Sequence, residues 1–308
     1  MAIAAVIDIG SNTIKVLVAK RDSEDASLQV LKTKTIEARI SAGISHSHPE
    51  LSSDAMIRGL AAIKDLLNEA ASYSPNFIIL VATSAVRDAL NGPLFCETVL
   101  KETGHSVRIL TGEEEANGIG RGLLCDPHLK SENNFMVFDL GGGSLECLNF
   151  TERKIVQKIS LPLGCVRLTE RFVSDVTLAF KAADKIKAHI KETVEKSGFK
   201  FNPKGLAIGT GGTLTTARHI IAIQTGQTLE TCSPTLTLHA LKALHRTMSG
   251  LALKDRLNTL GLPKGRADVF PAALETLISL AELGDFESYH HSMYNLRWGL
   301  ASEALTRA

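Results

Sequence analysis

The chain has 308 residues, enough for two domains with separate cores. Hydrophobic residues make up 44% and charged residues 22%, a globular balance, and a formal net charge of +1 gives no global field to draw in nucleic acid or a membrane surface. An anionic ligand must therefore be held by local charges. Five cysteines, Cys96, Cys125, Cys147, Cys165 and Cys232, contain no C-x-x-C pair and read as free thiols in a reducing cytoplasm. The first residues lack the basic flank of a signal peptide, and no apolar run approaches the roughly 20 residues of a membrane helix. The expectation is a soluble cytoplasmic protein.

The elements follow in chain order. "AIAAVI" (2–7) and the alternating "IKVLVAK" (14–20) predict a β-hairpin with Asp8 to Thr13 at its tip. Residues 54–72 carry apolar positions at helical spacing, with Ser52 or Ser53 placed as cap. "NFIILVAT" (76–83) reads as a buried parallel strand. A helix over 93–103 has Pro93 near its start and Gly104 past its end. "SVRIL" (106–110) is a strand, and residues 113–124 start a helix. Strand and helix thus alternate, which favours α/β. The polar "CDPHLKSENN" (125–134) is the best domain boundary. Then "NFMVFDL", "SLECLNF" and "KIVQKISL" read as strands, residues 177–198 as a long amphipathic helix ending at Gly198, and "KGLAIGTGG" (204–212) as a strand entering a Gly-rich turn. Beyond about 235 the pattern is mostly helical, with Pro271 interrupting one helix near its first turns. One large repeat stands out: strand, Asp, Gly and small polar turn at 8–13 and again at 139–144, which suggests two similar halves facing each other across a cleft.

Three Gly-rich turns follow apolar strands: "DIGSNT" (8–13), "DLGGGS" (139–144) and "GTGGTLTT" (209–216). Glycine lets the backbone approach an anion closely, and exposed N–H groups with Ser or Thr hydroxyls donate to phosphate oxygens. Asp8 and Asp139 end their strands, and a return strand brings Glu146 back beside Asp139. Such hard oxygens suit Mg²⁺ or another divalent cation held partly through water. In "TGEEEANG" (111–118), Glu113 and Glu114 suit the positive end of a helix dipole, while a carboxylate from this helix can orient a water for attack on phosphorus. Arg87 and Arg167 offer guanidinium forks that match phosphate. The ten histidines show no zinc spacing; His46, His48, His290 and His291 read as surface or loop residues.

In this order, "DIGSNT", "ATSAVRDA", "GEEEA", "DLGGGSLE", "LPLGCVRLTERF", "GTGGT" and "RADVFPAAL" resemble the motifs of the exopolyphosphatase and guanosine pentaphosphate phosphohydrolase (Ppx/GppA) family. The resemblance runs from residue 7 to about 300. It implies an α/β fold of two ribonuclease-H-like domains of the actin, sugar-kinase and Hsp70 superfamily around a central cleft. The domains would be 1–125 and 126–308, with a C-terminal helix (about 296–308) returning to the first. It further implies Glu115 as the base that activates water. Asp8, Asp139 and Glu146 would hold the metal. Ser11, Asn12, Thr13, Arg87, Gly141, Gly142, Gly143, Ser144, Gly211, Gly212 and Thr213 would contact phosphates.

The implied reaction is hydrolysis of the terminal anhydride of inorganic polyphosphate, or of guanosine pentaphosphate. A homodimer is expected from the resemblance, with neither nucleic acid nor membrane as partner. The chain resembles the short, two-domain members, without the helical C-terminal domains that hold long polyphosphate. Asn117 stands where relatives usually have Arg, and the extra glycines of "EEEANGIGRG" are expected to loosen that helix. Leu145 replaces the usual Thr. Two further readings remain. A non-catalytic sensor of polyphosphate or guanosine tetraphosphate would tolerate loss of Glu115. A kinase of the superfamily would show an acceptor-binding insertion, and none is visible.

Overall fold

The computed structural model describes residues 2–21, 27–43, 48–173, 182–202 and 205–306. It divides into two compact units, residues 1–131 with 294–308, and residues 132–293. The break falls after Ser131 rather than in front of Asp126, because the intervening turn stays with the first unit. There the Asp126 side chain accepts from His128 N, and Leu129 is buried.

In the first unit the chain runs β1 (Ala2–Ile9), β2 (Thr13–Arg21), β3 (Gln29–Glu37), α1 (Ser53–Ala71), β4 (Phe77–Ala82), α2 (Ser84–Asp88), α3 (Gly92–Thr103), β5 (Val107–Ile109) and α4 (Gly112–Leu124). The sheet order is β3-β2-β1-β4-β5. β1 and β2 form the predicted antiparallel hairpin, while β4 and β5 lie parallel to β1 and to β4 respectively. Inward Ile7, Ile9, Ile14, Val16 and Val18 pack against Ile63 and Leu66 of α1 and Phe95 of α3. Ser52 caps α1 by accepting from Ala55 N, and Gly104 ends α3 in the left-handed region. β3 gave no strand expectation. Its Lys32 and Lys34 sit on a sheet edge, where charge discourages pairing with another chain.

The second unit runs β6 (Phe135–Leu140), β7 (Leu145–Thr151), β8 (Lys154–Leu161), α5 (Cys165–Phe172), α6 (Ala183–Ser197), β9 (Leu206–Thr210), α7 (Gly212–Gln224), β10 (Thr235–Thr237), α8 (Leu238–Gly250), α9 (Leu253–Arg256), α10 (Phe270–Gly284) and β11 (Ser288–His291). Its sheet order is β10-β11-β9-β6-β7-β8. Of the helix expected over 177–198, residues 177–181 lie outside the described residues. Beyond 235 the chain is mostly helical, as expected, with two short strands, β10 and β11, added. Pro271 sits at the start of α10, where its missing N–H costs nothing, so it opens the helix rather than interrupting it.

The repeat read in the sequence is a repeat of topology. β6, β7, β8, β9 and β11 reproduce the pairing and direction of β1, β2, β3, β4 and β5, and β10 is an added edge. Even the irregularity recurs. The register shifts at Val18/Ala19 and at Asn149/Phe150, ten residues beyond each turn's aspartate. Both units therefore have the ribonuclease-H-like strand order.

The last helix, α11 (Leu296–Thr306), belongs to the first unit and packs on α4 and β1. This corrects the reading of the α4 glycines. A Cβ at Gly122 would lie 2.0 Å from the Asn295 carbonyl oxygen, and one at Gly299 would lie 1.9 Å from that of Gly118. The glycines let the two helix backbones touch; they do not serve to loosen the helix. All five cysteines are free, and among the described residues no helix is long and apolar enough to cross a membrane.

Candidate functional site

The candidate residues fall into two groups, one per unit, each at the carboxyl ends of parallel strands. Ligands of open α/β sheets bind outside such ends.

In the first unit Asp8 closes β1 opposite Lys15 of β2. Burial raises the Asp8 carboxyl above its usual range, against the pull of Lys15 and Arg297. Its Oδ1 is buried without a hydrogen-bond partner among the described residues. Ser11, Asn12 and Thr13 are buried, and Ser11 Oγ lies 3.1 Å from Ser84 Oγ at the start of α2. The turn is tied from outside. Asn12 O accepts from Ala38 N at 3.2 Å and Arg39 N at 2.9 Å, and Ser11 O accepts from Ser41 N at 3.2 Å.

Beside it, Thr83 N donates to Ile9 O and Leu110 N to Ala82 O, which bring the ends of β1, β4 and β5 together. Arg87 projects from α2 and Glu115 from the first turn of α4. Arg87 Nη1 donates to Glu115 Oε2 at 2.9 Å and to Leu110 O at 3.0 Å. The Glu115 side chain is only 9% exposed. Its neighbours differ in role. Glu114 closes a capping box with Thr111 and pairs with Arg108, and these bonds lower its carboxyl, the backbone bond from Thr111 foremost.

In the second unit Asp139 stands directly across the β6–β7 ladder from Glu146. Side chains so paired share one face. Glu146 Oε1 accepts from Ser160 Oγ at 2.8 Å. The carbonyls of the Gly141–Ser144 turn are drawn toward α5. Gly141 O accepts from Cys165 N at 3.0 Å and Gly142 O from Val166 N at 2.8 Å, while Arg167 Nε donates to Gly143 O at 3.1 Å. A Cβ on Gly164 would lie 2.3 Å from Gly142 O, so glycine is needed for that approach. Within the turn, Gly141 N donates to Ser144 O at 3.0 Å. The same capture of turn carbonyls holds in the first unit, where the segment after β3 takes the part of the segment after β8.

The third turn leads β9 into α7. Gly211 has φ +96, and a Cβ there would stand 2.6 Å from Asp139 Oδ1. Thr213 is buried, and Thr210 Oγ1 has no partner among the described residues. A hydrogen-bond chain fixes the turn. Arg218 Nη1 lies 3.4 Å from His291 Nδ1, His291 Nε2 lies 3.1 Å from Thr215 Oγ1, and Thr215 Oγ1 donates to Gly211 O at 2.9 Å. Arg can only donate, so Nδ1 accepts and Nε2 carries the proton. Burial foremost, with Arg218 beside it, lowers His291 to about 3. His291 is thus a buried structural residue, which corrects its reading as surface.

Two residues beside the turns escaped the sequence reading. Lys15 occupies in the first hairpin the place of Glu146 in the second, at the same spacing from the aspartate. Arg266 lies against α7's first residue: a Cβ on Gly212 would be 2.0 Å from its Nη2. The spacing could have revealed Lys15, and Arg266 opens the motif "RADVFPAAL", to which no role was given.

For a metal, no group of three or more His, Cys, Asp or Glu is gathered among the described residues. The donors available within one unit are the Asp139–Glu146 pair. That suits Mg²⁺, which commonly binds through one or two carboxylates, with waters and substrate phosphates completing its shell.

The sequence profile of the Ppx/GppA phosphatase family matches residues 17–308. Solved structures agree in fold. A Ppx/GppA family member from Aquifex aeolicus is 23% identical with a TM-score of 0.79, covering 99% of this chain and 98% of its own. An exopolyphosphatase from Cytophaga hutchinsonii is 22% identical with a TM-score of 0.87, at 99% and 98% coverage. An exopolyphosphatase-like protein is 21% identical with a TM-score of 0.89, again at 99% and 98%. A match that runs from within the second strand to the last residue makes this chain a member of the Ppx/GppA phosphatase family.

Proposed function

We propose that the chain is a metal-dependent exopolyphosphatase that hydrolyses the terminal phosphoanhydride of inorganic polyphosphate. The observation that supports this most is Glu115, a buried carboxylate held by Arg87 at the strand ends that carry the Asp8–Thr13 turn. A binding protein needs the turns but has no use for that carboxylate.

In this reading Glu115 takes a proton from a water as the water oxygen bonds to the terminal phosphorus. The bond from that phosphorus to its bridging oxygen breaks, and the shortened chain leaves with the electron pair. Arg87 orients Glu115 through one nitrogen of its fork. The amides of Gly142, Gly143, Gly211 and Gly212, with Ser144 and Thr213, donate to phosphate oxygens where charge builds up. Ser11, Asn12 and Thr13 do so from the first unit. Asp139 and Glu146 would hold Mg²⁺, whose charge would offset that of the phosphates.

The test is phosphate release by the purified protein with Mg²⁺ on short polyphosphate, long polyphosphate and guanosine pentaphosphate. Glu115→Gln keeps an acceptor for Arg87 but no base. It should lower turnover by roughly 10²–10⁴-fold, with phosphate-chain binding largely kept. Release from guanosine pentaphosphate alone would reassign the substrate. Binding without release by the parent protein would make it a sensor, and near-normal turnover of Glu115→Gln would remove the mechanism.

A further inference from the structure

Behind the third turn lies a buried cation. Arg218 of α7 is only 8% exposed. Carbonyls take most of its fork: Nε donates to Ser233 O at 3.0 Å, and Nη2 to Leu229 O at 2.6 Å and to Cys232 O at 2.7 Å. The remaining nitrogen, Nη1, meets His291 Nδ1. His291 is itself anchored. Its backbone N–H donates to Pro234 O at 2.8 Å, and β11 pairs it with Gly209 of β9, two residues before Gly211. Burial foremost, then Arg218 and His290, lowers His291 to about 3, so at neutral pH the ring is uncharged and Nδ1 can accept.

Every link then points the same way. Arg218 donates to His291 Nδ1, His291 Nε2 to Thr215 Oγ1, and Thr215 Oγ1 to Gly211 O. The last link alone is common, because a helical threonine often bonds the carbonyl four residues back. What is added is an imidazole N–H from β11 behind that hydroxyl and a guanidinium behind the imidazole. Hydrogen bonds in such a series strengthen one another, by roughly 10–30% per bond.

Gly211 O and Gly212 N–H belong to one peptide. Electron density drawn to that oxygen makes the N–H a stronger donor. Gly212 is the first residue of α7, where an N–H has no acceptor within the helix. On the proposed reading of this turn as a phosphate cradle, we infer that His291 and Thr215 are positioning residues of the phosphate site: through them Arg218 orients and polarises the Gly211–Gly212 peptide, whose N–H donates to a phosphate oxygen.

Four variants of the full chain test this. Thr215→Val removes the hydroxyl but keeps the branched shape, and Thr215→Ser keeps the hydroxyl. His291→Leu breaks the chain, and His291→Gln still carries an acceptor and a donor. The first readout is the Gly212 amide proton in nuclear magnetic resonance spectra without substrate. It should move upfield in Thr215→Val and His291→Leu and stay near the parent position in Thr215→Ser and His291→Gln. The second is phosphate release from tripolyphosphate with Mg²⁺. A weakened rather than deleted donor should lower kcat about three- to tenfold in the two breaking variants, with recovery in the two conservative ones. Because both residues act in one chain, the double variant Thr215→Val/His291→Leu should fall no further than either alone.

An unmoved Gly212 amide in Thr215→Val would overturn the inference. So would full kcat in both breaking variants, or losses that add in the double variant. If the parent releases no phosphate, the hydrolase reading falls by itself. Tripolyphosphate affinity by calorimetry then decides the inference: severalfold weaker binding by Thr215→Val upholds it, and equal binding overturns it.

Discussion

Replacing Gly122 by alanine puts a methyl group where the α4 and α11 backbones touch. The new Cβ would stand 2.0 Å from the Asn295 carbonyl oxygen and 2.6 Å from its carbon. Carbon contacts settle at about 3.5–4.0 Å, so the helices must part by more than an ångström. A gap of about 0.5–1 Å already forfeits a quarter to a half of the dispersion well. If two buried side chains of leucine size lose about half of the ~1.5–3 kcal/mol each gains by burial, the loss is about 1.5–3 kcal/mol. Alanine returns about 1 kcal/mol in helix propensity, which leaves a net cost of about 0.5–2 kcal/mol. In a unit of this size that lowers the melting temperature by roughly 1–8 °C. Gly299→Ala, whose Cβ meets the Gly118 carbonyl oxygen at 1.9 Å, should cost as much. Gly118→Ala meets only the Leu296 Cδ1 methyl at 2.5 Å, which can move aside, and should stay within about 1 kcal/mol of the parent. Urea unfolding followed by circular dichroism measures all three. If Gly122→Ala and Gly299→Ala match the parent, or if Gly118→Ala costs most, the close-packing argument fails.

Arg87→Ala should lower kcat as well as raise KM, because it leaves Glu115 unoriented and the Leu110 carbonyl without its donor. It should also cost about 2 kcal/mol in urea unfolding, less than for a fully buried pair; a change in KM alone with full stability would refute that pairing role. Gly211→Ala combines φ +96 with a Cβ 2.6 Å from Asp139 Oδ1; phosphate release should be lost, and a steady-state assay with normal kcat would contradict this. His291 is depressed to about 3 when folded, below its ordinary 6.5. The unfolded chain therefore takes up a proton that the folded one refuses, so stability falls as pH drops from about 6.5 toward 3, by at most ~1.4 kcal/mol per pH unit. Urea midpoints against pH should show that slope, and His291→Gln should flatten it.

The hairpins at Asp8 and Asp139 were legible because period-two strands and a glycine turn are local properties of a dozen residues. β3 was not, since its outward lysines and threonines match an exposed loop as well as a sheet edge. β11, "SYHH", is too short to show a period, and only its place beside β9 makes it a strand. The α4 glycines were legible as weak helix formers, but their purpose depends on Asn295 and Gly299, far along the chain. Glu115 stood out by its motif. Its link to Arg87 did not, because the two meet only after β4 and β5 align their ends. The signs of the cross-strand partners could have been read: the same spacing gives Asp8 a lysine and Asp139 a glutamate, so the device pairs its aspartate with a cation in one copy and with a second carboxylate in the other.

The return of α11 to α4 also orders events during synthesis. A ribosome emits the second unit whole, as residues 132–293, while the first still lacks its final helix. Until that helix emerges, the glycine face of α4 and one face of β1 stay uncovered. At about 5–20 residues per second that interval lasts on the order of ten to thirty seconds. The nascent first unit is thus an unfinished surface for that time, and its completion waits on synthesis of the second.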